Sequence, residues 1–285
     1  MGSLVDRPFV KMNGLGNEIL VLDLRDDPVP VPPEAARALA RPDVLPFDQA
    51  MLLYPPRRAD SAAFVRILNS DGSESGACGN GTRCIAALEA TRTGRDHLLF
   101  ESAAGMLDCV LEPDGTVTVD MGAPRLGWRD IPLARDVGDT AAVSVAGYET
   151  LGPAGFVSMG NPHAVIFVPD ADAVDVERLG PLLEHDPLFP ERANISFAQM
   201  LSRDHIRLHV WERGAGRTRA CGSAACAVAV AAIRTGRADR QVRVTLPGGD
   251  LTIFWREADG HVLMTGPVAH EFTGRLTPDM LADAA

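Results

Sequence analysis

Ala77-Cys78-Gly79-Asn80-Gly81 opens one apolar stretch of this 285-residue chain, and Ala220-Cys221-Gly222-Ser223-Ala224 opens another, 143 residues further on. Both stretches close alike, on Arg92-Thr93-Gly94 and on Arg234-Thr235-Gly236. A small-residue turn at the start and a glycine after the last turn are the signals of a helix with a defined beginning and a left-handed stop. The echo spreads outward from the cysteines. Asn17, in Lys11-Met12-Asn13-Gly14-Leu15-Gly16-Asn17, is matched at an offset of 144 by Asn161, in Ser158-Met159-Gly160-Asn161-Pro162-His163. Gly122 of Met121-Gly122-Ala123-Pro124 is matched at the same offset by Gly266 of Met264-Thr265-Gly266-Pro267. Landmarks at nearly constant spacing identify two homologous halves.

Each half reads as short strands around one long apolar helix, residues 80–93 in the first and 223–235 in the second. Strand patterns fall at 9–24 (two strands and a Gly-rich turn), 63–68, 98–100, 107–111 and 117–121. In the second half they fall at 156–159, 164–168, 207–212, 242–246, 251–255 and 262–265. Short helices are expected at 34–40 and 175–183. A helix apolar on most faces must be buried. The expected fold is therefore α/β, of the α+β type: two pseudo-symmetric domains, each a curved, mostly antiparallel sheet wrapped around a central apolar helix. The expected domains are 1–122, completed by 268–280, and 123–267.

A net charge of −11 argues against nucleic acid or an anionic membrane surface as partner, while leaving room for a small zwitterionic ligand. The longest apolar run, Ala220 to Ile233, falls short of the ~20 residues that span a bilayer. The first residues lack the apolar core of a signal peptide, so a cytoplasmic location is expected. Five cysteines, at 78, 84, 109, 221 and 226, suit reduced thiols better than a disulfide framework. Their C-x5-C and C-x4-C spacings lack the tight knuckles of a zinc site, and no metal is expected. Cys84, Cys109 and Cys226 read as small core residues.

A helix N-terminus offers unpaired N–H groups and a partial positive charge, which together hold a carboxylate without a charged side chain. The same field lowers the pKa of an adjacent cysteine. Two such termini facing one ligand would set a sulfur on each side of the carbon next to its carboxylate. One thiolate would remove the α-proton and the opposite thiol would return a proton to the other face. Such an inversion needs no cofactor.

The motifs quoted above, with Phe47-Asp48-Gln49, Asn69-Ser70-Asp71-Gly72-Ser73-Glu74, the continuation Gly81-Thr82-Arg83-Cys84, Glu191-Arg192-Ala193-Asn194 and Glu212-Arg213-Gly214-Ala215-Gly216, resemble those of the diaminopimelate epimerases over nearly the whole chain. The resemblance implies a pyridoxal-independent epimerase of that fold, a homodimer, interconverting LL- and meso-diaminopimelate for lysine and peptidoglycan synthesis. It implies Cys221 as base toward the LL substrate and Cys78 as acid, with His163 and Glu212 tuning their protonation. It implies a substrate pocket lined by Asn17, Gln49, Asn69, Asn161, Asn194, Glu212 and Arg213, with Gly79-Asn80 and Gly222-Ser223 on the reacting carboxylate. Ile19, Leu45-Pro46 and Ala224 depart from the common pattern without removing a proton-transfer group. A proline or hydroxyproline racemase is the neighbouring possibility. Such a site needs no distal carboxylate pocket, so Arg213 and the asparagines argue against it.

Overall fold

The computed structural model describes residues 3–284. The chain divides into two compact units, one made of the residues up to Val119 together with those from Gly266 onward, the other of Asp120–Thr265. Met121 N–H donates to Val262 O (2.8 Å) and Val262 N–H to Gly122 O (3.0 Å), which ties these residues to the second unit.

The first unit runs β1 (Pro8–Gly14), β2 (Asn17–Asp23), α1 (Pro33–Leu39), β3 (Gln49–Tyr54), β4 (Phe64–Asn69), β5 (Glu74–Ser75), α2 (Gly79–Thr93), β6 (His97–Ser102), β7 (Gly105–Leu111) and β8 (Val117–Asp120). The second runs β9 (Ala154–Ser158), β10 (Pro162–Phe167), α3 (Val176–Glu184), β11 (Asn194–Ser202), β12 (His205–Glu212), β13 (Gly216–Arg217), α4 (Gly222–Arg234), β14 (Gln241–Leu246), β15 (Gly249–Trp255) and β16 (Val262–Gly266). The order of elements is the same, and so is the pairing. β2 lies parallel to β3 as β10 does to β11, and β3 antiparallel to β4 as β11 does to β12. β4 and β6 are parallel, as are β12 and β14. A last strand, β17 (Ala269–Arg275), lies antiparallel to β1 in the first unit.

A parallel pair needs a crossover, and each unit supplies two. α1 and α3 make the first, α2 and α4 the second. They take opposite faces of the sheet. Leu20, Leu22, Ala50 and Leu52 pack with Ala35, Ala36 and Leu39 of α1. Met51, one residue out of phase, lies where a side chain on Gly81 of α2 would collide with it. With both faces covered, residues 19–22 and 50–53 are all buried. In the second unit Phe156, Ile166, Ile195 and Phe197 pack with Val176, Leu179 and Leu183 of α3.

The two central helices differ. α4 is apolar between Ser223 and Arg234, and residues 224–232 are at most 1% exposed. Alanine and valine keep it thin enough for close approach to the surrounding strands. α2 departs from the expected apolar helix: Asn80, Thr82, Arg83 and Glu89 are all buried on it. Glu89 is compensated by Arg25 (3.0 Å) and Arg92 (2.6 Å), as a buried carboxylate must be. Gly94 ends α2 in the left-handed region at φ 69°, and Gly236 repeats that value after α4.

Gly180 of α3 lies directly against the Trp211 ring. A Cβ built there would sit 2.5 Å from Trp211 Cγ and Cδ2. Gly180→Ala should cost about 1–3 kcal/mol by overpacking, read as a lowered urea midpoint together with a shift in tryptophan emission. An unchanged midpoint would show that α3 moves aside freely.

Candidate active site

Strand direction gathers the polar residues of the first unit. β2 and β3 begin with Asn17 and Gln49, and antiparallel β4 ends with Asn69, so all three occupy one end of the sheet. Gln49 is the cross-strand partner of Asn69, and its Nε2 donates to Asn69 Oδ1 (3.1 Å). Asn17 and Gln49 share the parity of Ile19 and Met51, which turns them to the α2 side.

At that end α2 begins, with Cys78 as its N-cap residue in an extended conformation (φ −146°, ψ 97°). Gly81 N–H donates to Cys78 Sγ at 3.2 Å, filling the role that a serine or aspartate oxygen fills at ordinary N-caps. Asn17 Oδ1 accepts from Asn80 Nδ2 (3.3 Å) and from the Cys78 thiol (4.0 Å). The other end of that amide, Asn17 Nδ2, donates to Asp48 Oδ2 at 2.9 Å.

The second unit repeats the plan. Cys221 is the N-cap residue of α4 with nearly the same backbone (φ −135°, ψ 107°). Its Sγ lies 3.5 Å from Ser223 Oγ, which accepts from Asn161 Nδ2 at 3.2 Å. Asn161 Oδ1 is 2.9 Å from Nε2 of His163, a fully buried ring. Asn194 begins β11 and Glu212 ends β12, as Gln49 begins β3 and Asn69 ends β4. Asn194 Oδ1 accepts from Arg213 N–H (2.9 Å), and its Nδ2 donates to Pro162 O (3.0 Å). Arg213 is exposed, with Nη1 donating to Glu191 O (3.0 Å).

The structure thus gathers Asn17, Gln49, Asn69, Cys78, Gly79 and Asn80 at one helix start. It gathers Asn161, His163, Asn194, Glu212, Arg213, Cys221, Gly222 and Ser223 at the other. Three supporting residues escaped the sequence reading. Asp48 orients Asn17, and the Thr218 hydroxyl donates to Glu212 Oε1. Glu184, buried, accepts from Trp211 Nε1 (2.7 Å) and Gly214 N (3.0 Å) and so fixes the turn after Glu212. Asp48 stood inside a quoted motif; Thr218 and Glu184 carried no local signal.

The electrostatics correct one expectation. The thiol of Cys221 is pushed well above its ordinary range, first by burial and then by the nearby Glu212 carboxylate, with the Ser223 hydroxyl opposing. Burial and a neighbouring negative charge both disfavour the thiolate, and here they outweigh the helix terminus. His163 is driven down to about 3, by burial and then by Arg213, so its ring is neutral.

Solved structures share the duplicated fold. A phenazine biosynthesis protein of the PhzF family from Bacillus anthracis superposes with TM-score 0.69 at 15% identity, over 95% of this chain and 98% of its own. A hydroxyproline epimerase from Agrobacterium vitis, with bound trans-4-hydroxy-L-proline, superposes with TM-score 0.67 at 16% identity, over 96% and 92%. Fold and paired cysteine helices thus define a protein of this two-repeat class. Sequence narrows it further. The family model described as diaminopimelate epimerase matches residues 9–127 and 155–271. Diaminopimelate epimerases from two Rhodopseudomonas palustris strains, BisB5 and BisA53, are 55% and 56% identical, over 99% and 100% of this chain and 97% and 100% of theirs. One from Nitrobacter hamburgensis is 54% identical over the full length of both. The chain belongs to the diaminopimelate epimerase family.

The neutral ring of His163 has a direct consequence. Its folded pKa is lowered from the usual 6.5 to about 3, so the unfolded chain binds the proton first and stability drains away as pH falls through that window. NMR of the histidine rings should show His163 untitrated across about pH 5–8. A midpoint near 6.5 would mean that the ring is solvated.

Proposed function

We propose that this chain interconverts LL- and meso-diaminopimelate without a cofactor, Cys221 and Cys78 acting on opposite faces of one α-carbon. The observation that carries the reading is the duplication of a single device. In each unit a cysteine occupies the N-cap of a buried helix with matching backbone angles, beside an asparagine bonded to the residue at the second helical position. A device that exists twice suits a reaction that needs two proton carriers of one kind.

In the LL-to-meso direction the Cys221 thiolate takes the α-proton and the Cys78 thiol donates to the opposite face. The sulfurs exchange protonation states, and the reverse reaction starts from the exchanged pair. The N–H groups at Gly79-Asn80 and Gly222-Ser223 receive the substrate carboxylate, on which charge builds as the proton leaves. Glu212 raises the pKa of Cys221, which makes its thiolate the stronger base. His163, uncharged, orients Asn161 without competing for that carboxylate. Asn17, Gln49, Asn69, Asn161 and Asn194 supply donors and acceptors for the rest of a long zwitterion, and the Arg213 guanidinium suits its distal carboxylate. On the family resemblance we place the protein in the cytoplasm as a homodimer, serving lysine and peptidoglycan synthesis. No helix among the described residues is long and apolar enough to cross a membrane.

Proton NMR of LL-diaminopimelate with reduced protein in D2O tests the reading. New meso product should carry deuterium at the inverted carbon while unreacted substrate initially keeps its proton. Cys78→Ala and Cys221→Ala should each lower the rate by about 10²–10⁴-fold, the usual worth of a proton-transfer group. Wild-type protein with intact thiols that yields no meso product would reject the substrate, and proline and hydroxyproline would be assayed next. Full activity in either cysteine variant would reject the two-thiol mechanism.

A further inference from the structure

The repeat sets up a comparison that neither unit offers alone. Ile19 pairs with Gln49 across the parallel β2–β3 ladder, and His163 pairs with Asn194 across the parallel β10–β11 ladder. Ile19 and His163 therefore occupy equivalent positions. The residue before Gln49 is Asp48, and the residue before Asn194 is Ala193. Each unit thus has one residue able to orient its asparagine, but the two sit at different places. They also grip opposite ends of the amide.

Asp48 Oδ2 accepts from Asn17 Nδ2 (2.9 Å) and from Glu18 N–H (2.7 Å). An ionised carboxylate only accepts, so the NH2 group of Asn17 must face it. Oδ1 is thereby turned toward Asn80 Nδ2 and the Cys78 thiol. In the other unit His163, with its ring proton on Nε2, donates to Asn161 Oδ1 and leaves Nδ2 to Ser223, the residue beside Cys221 Sγ. The first cysteine meets an amide oxygen; the second meets a hydroxyl held by an amide NH2 and, through both charge and a hydrogen bond, the Glu212 carboxylate. Asp48 also donates its own N–H to Glu18 O (2.9 Å) and accepts from Ser70 N–H (3.1 Å), next to Asn69. One residue thus fixes the starts of β2 and β3 and the end of β4.

We propose that Asp48 is a positioning residue for Cys78: by holding Asn17 Nδ2 it aims Asn17 Oδ1 at the sulfur, and so favours the protonated thiol in that half of the site alone. The proposal rests on reading Cys78 as a proton carrier, and it gives the duplicated cysteines different controls on protonation: an oriented amide oxygen at Cys78, burial and Glu212 at Cys221. An acceptor beside a thiol stabilises S–H, whereas a donor in its place stabilises the thiolate.

The test reads the sulfur directly and needs no substrate. Wild-type protein and Asp48→Asn are alkylated with iodoacetamide over a range of pH, and peptide mass spectrometry follows Cys78 and Cys221 separately in the same molecules. Asparagine at 48 no longer dictates which end of the Asn17 amide faces the sulfur. The Cys78 midpoint should then fall by about one pH unit, a tenfold change in thiolate fraction of the size expected for one hydrogen bond. The Cys221 midpoint should stay where it is. Easier access would raise the limiting rate without moving the midpoint, which separates an orienting role from a merely structural one. If Asp48→Asn does not fold, Asn17→Ala, which removes the oxygen itself, should also lower the Cys78 midpoint. An unmoved Cys78 midpoint, or equal shifts at both cysteines, overturns the proposal. Activity that survives loss of either cysteine would instead defeat the two-thiol mechanism, whatever the midpoints show.

Discussion

A helix cannot satisfy its own first N–H groups, and where it starts is settled by the strands that feed it. In the first unit β4 runs antiparallel to β3, which runs parallel to β2. The end of β4 therefore lies beside the beginnings of β2 and β3. The chain leaves β4 through the short strand β5 and enters α2 at once, so the helix begins beside Asn17, Gln49 and Asn69. The second unit obeys the same rule with β10, β11, β12 and α4. Placing a cysteine at the N-cap then sets a sulfur, a cluster of N–H donors and a row of amides together. No part of this convergence depends on a long loop.

Within this shared geometry the halves have diverged in charge. In the first unit two neutral amides, Asn17 and Asn80, lie at the cysteine, with Gln49 and Asn69 further along the sheet end. At the positions of Ile19 and Asn69 the second unit carries His163 and Glu212. Their effects differ in kind. Glu212 acts on the Cys221 thiol through its charge as well as a hydrogen bond, while His163, held neutral by burial, acts through hydrogen-bond geometry alone. Duplication supplied the frame, and single-residue exchanges within it gave each cysteine its own surroundings.

The central helices were legible because small residues follow each Cys-Gly turn and a glycine stops each run. β3 and β11 were not read as strands. Met51, Leu52 and Leu53, or Ile195 and Phe197 with Ala198, face helices on both sides, so the alternation that marks a half-buried strand is missing. The apolar reading of α2 failed at Arg83 and Glu89. Glu89 is tolerated in the interior because Arg25, 64 positions earlier, reaches it, and no local pattern announces that partner. The motifs that the resemblance singled out lie at two helix starts, whereas the residues that hold them there carry little signal. Glu184 is the clearest case: a helix-end carboxylate by sequence, it clamps the turn that follows Glu212.

The helix terminus alone does not set the Cys221 thiol pKa, and this bears on mechanism. A terminus lowers a neighbouring pKa, but its reach is one turn, and burial acts on every atom of the sulfur's surroundings. For Cys221 the second influence prevails, and Glu212 adds to it. A buried thiol beside a carboxylate is a poor resting thiolate but, once ionised, a strong base, which a weak carbon acid requires. Under the proposed reaction the substrate's α-ammonium enters close to this pair. A positive charge about 4 Å from a thiolate is worth about 4 kcal/mol at an effective dielectric of about 20, opposite in sign to the burial penalty. Under that reading the substrate's ammonium offsets part of the burial penalty, and the base becomes available when there is an α-proton to remove. Its counterpart Cys78 faces the Asn17 amide oxygen, an acceptor that favours the protonated thiol.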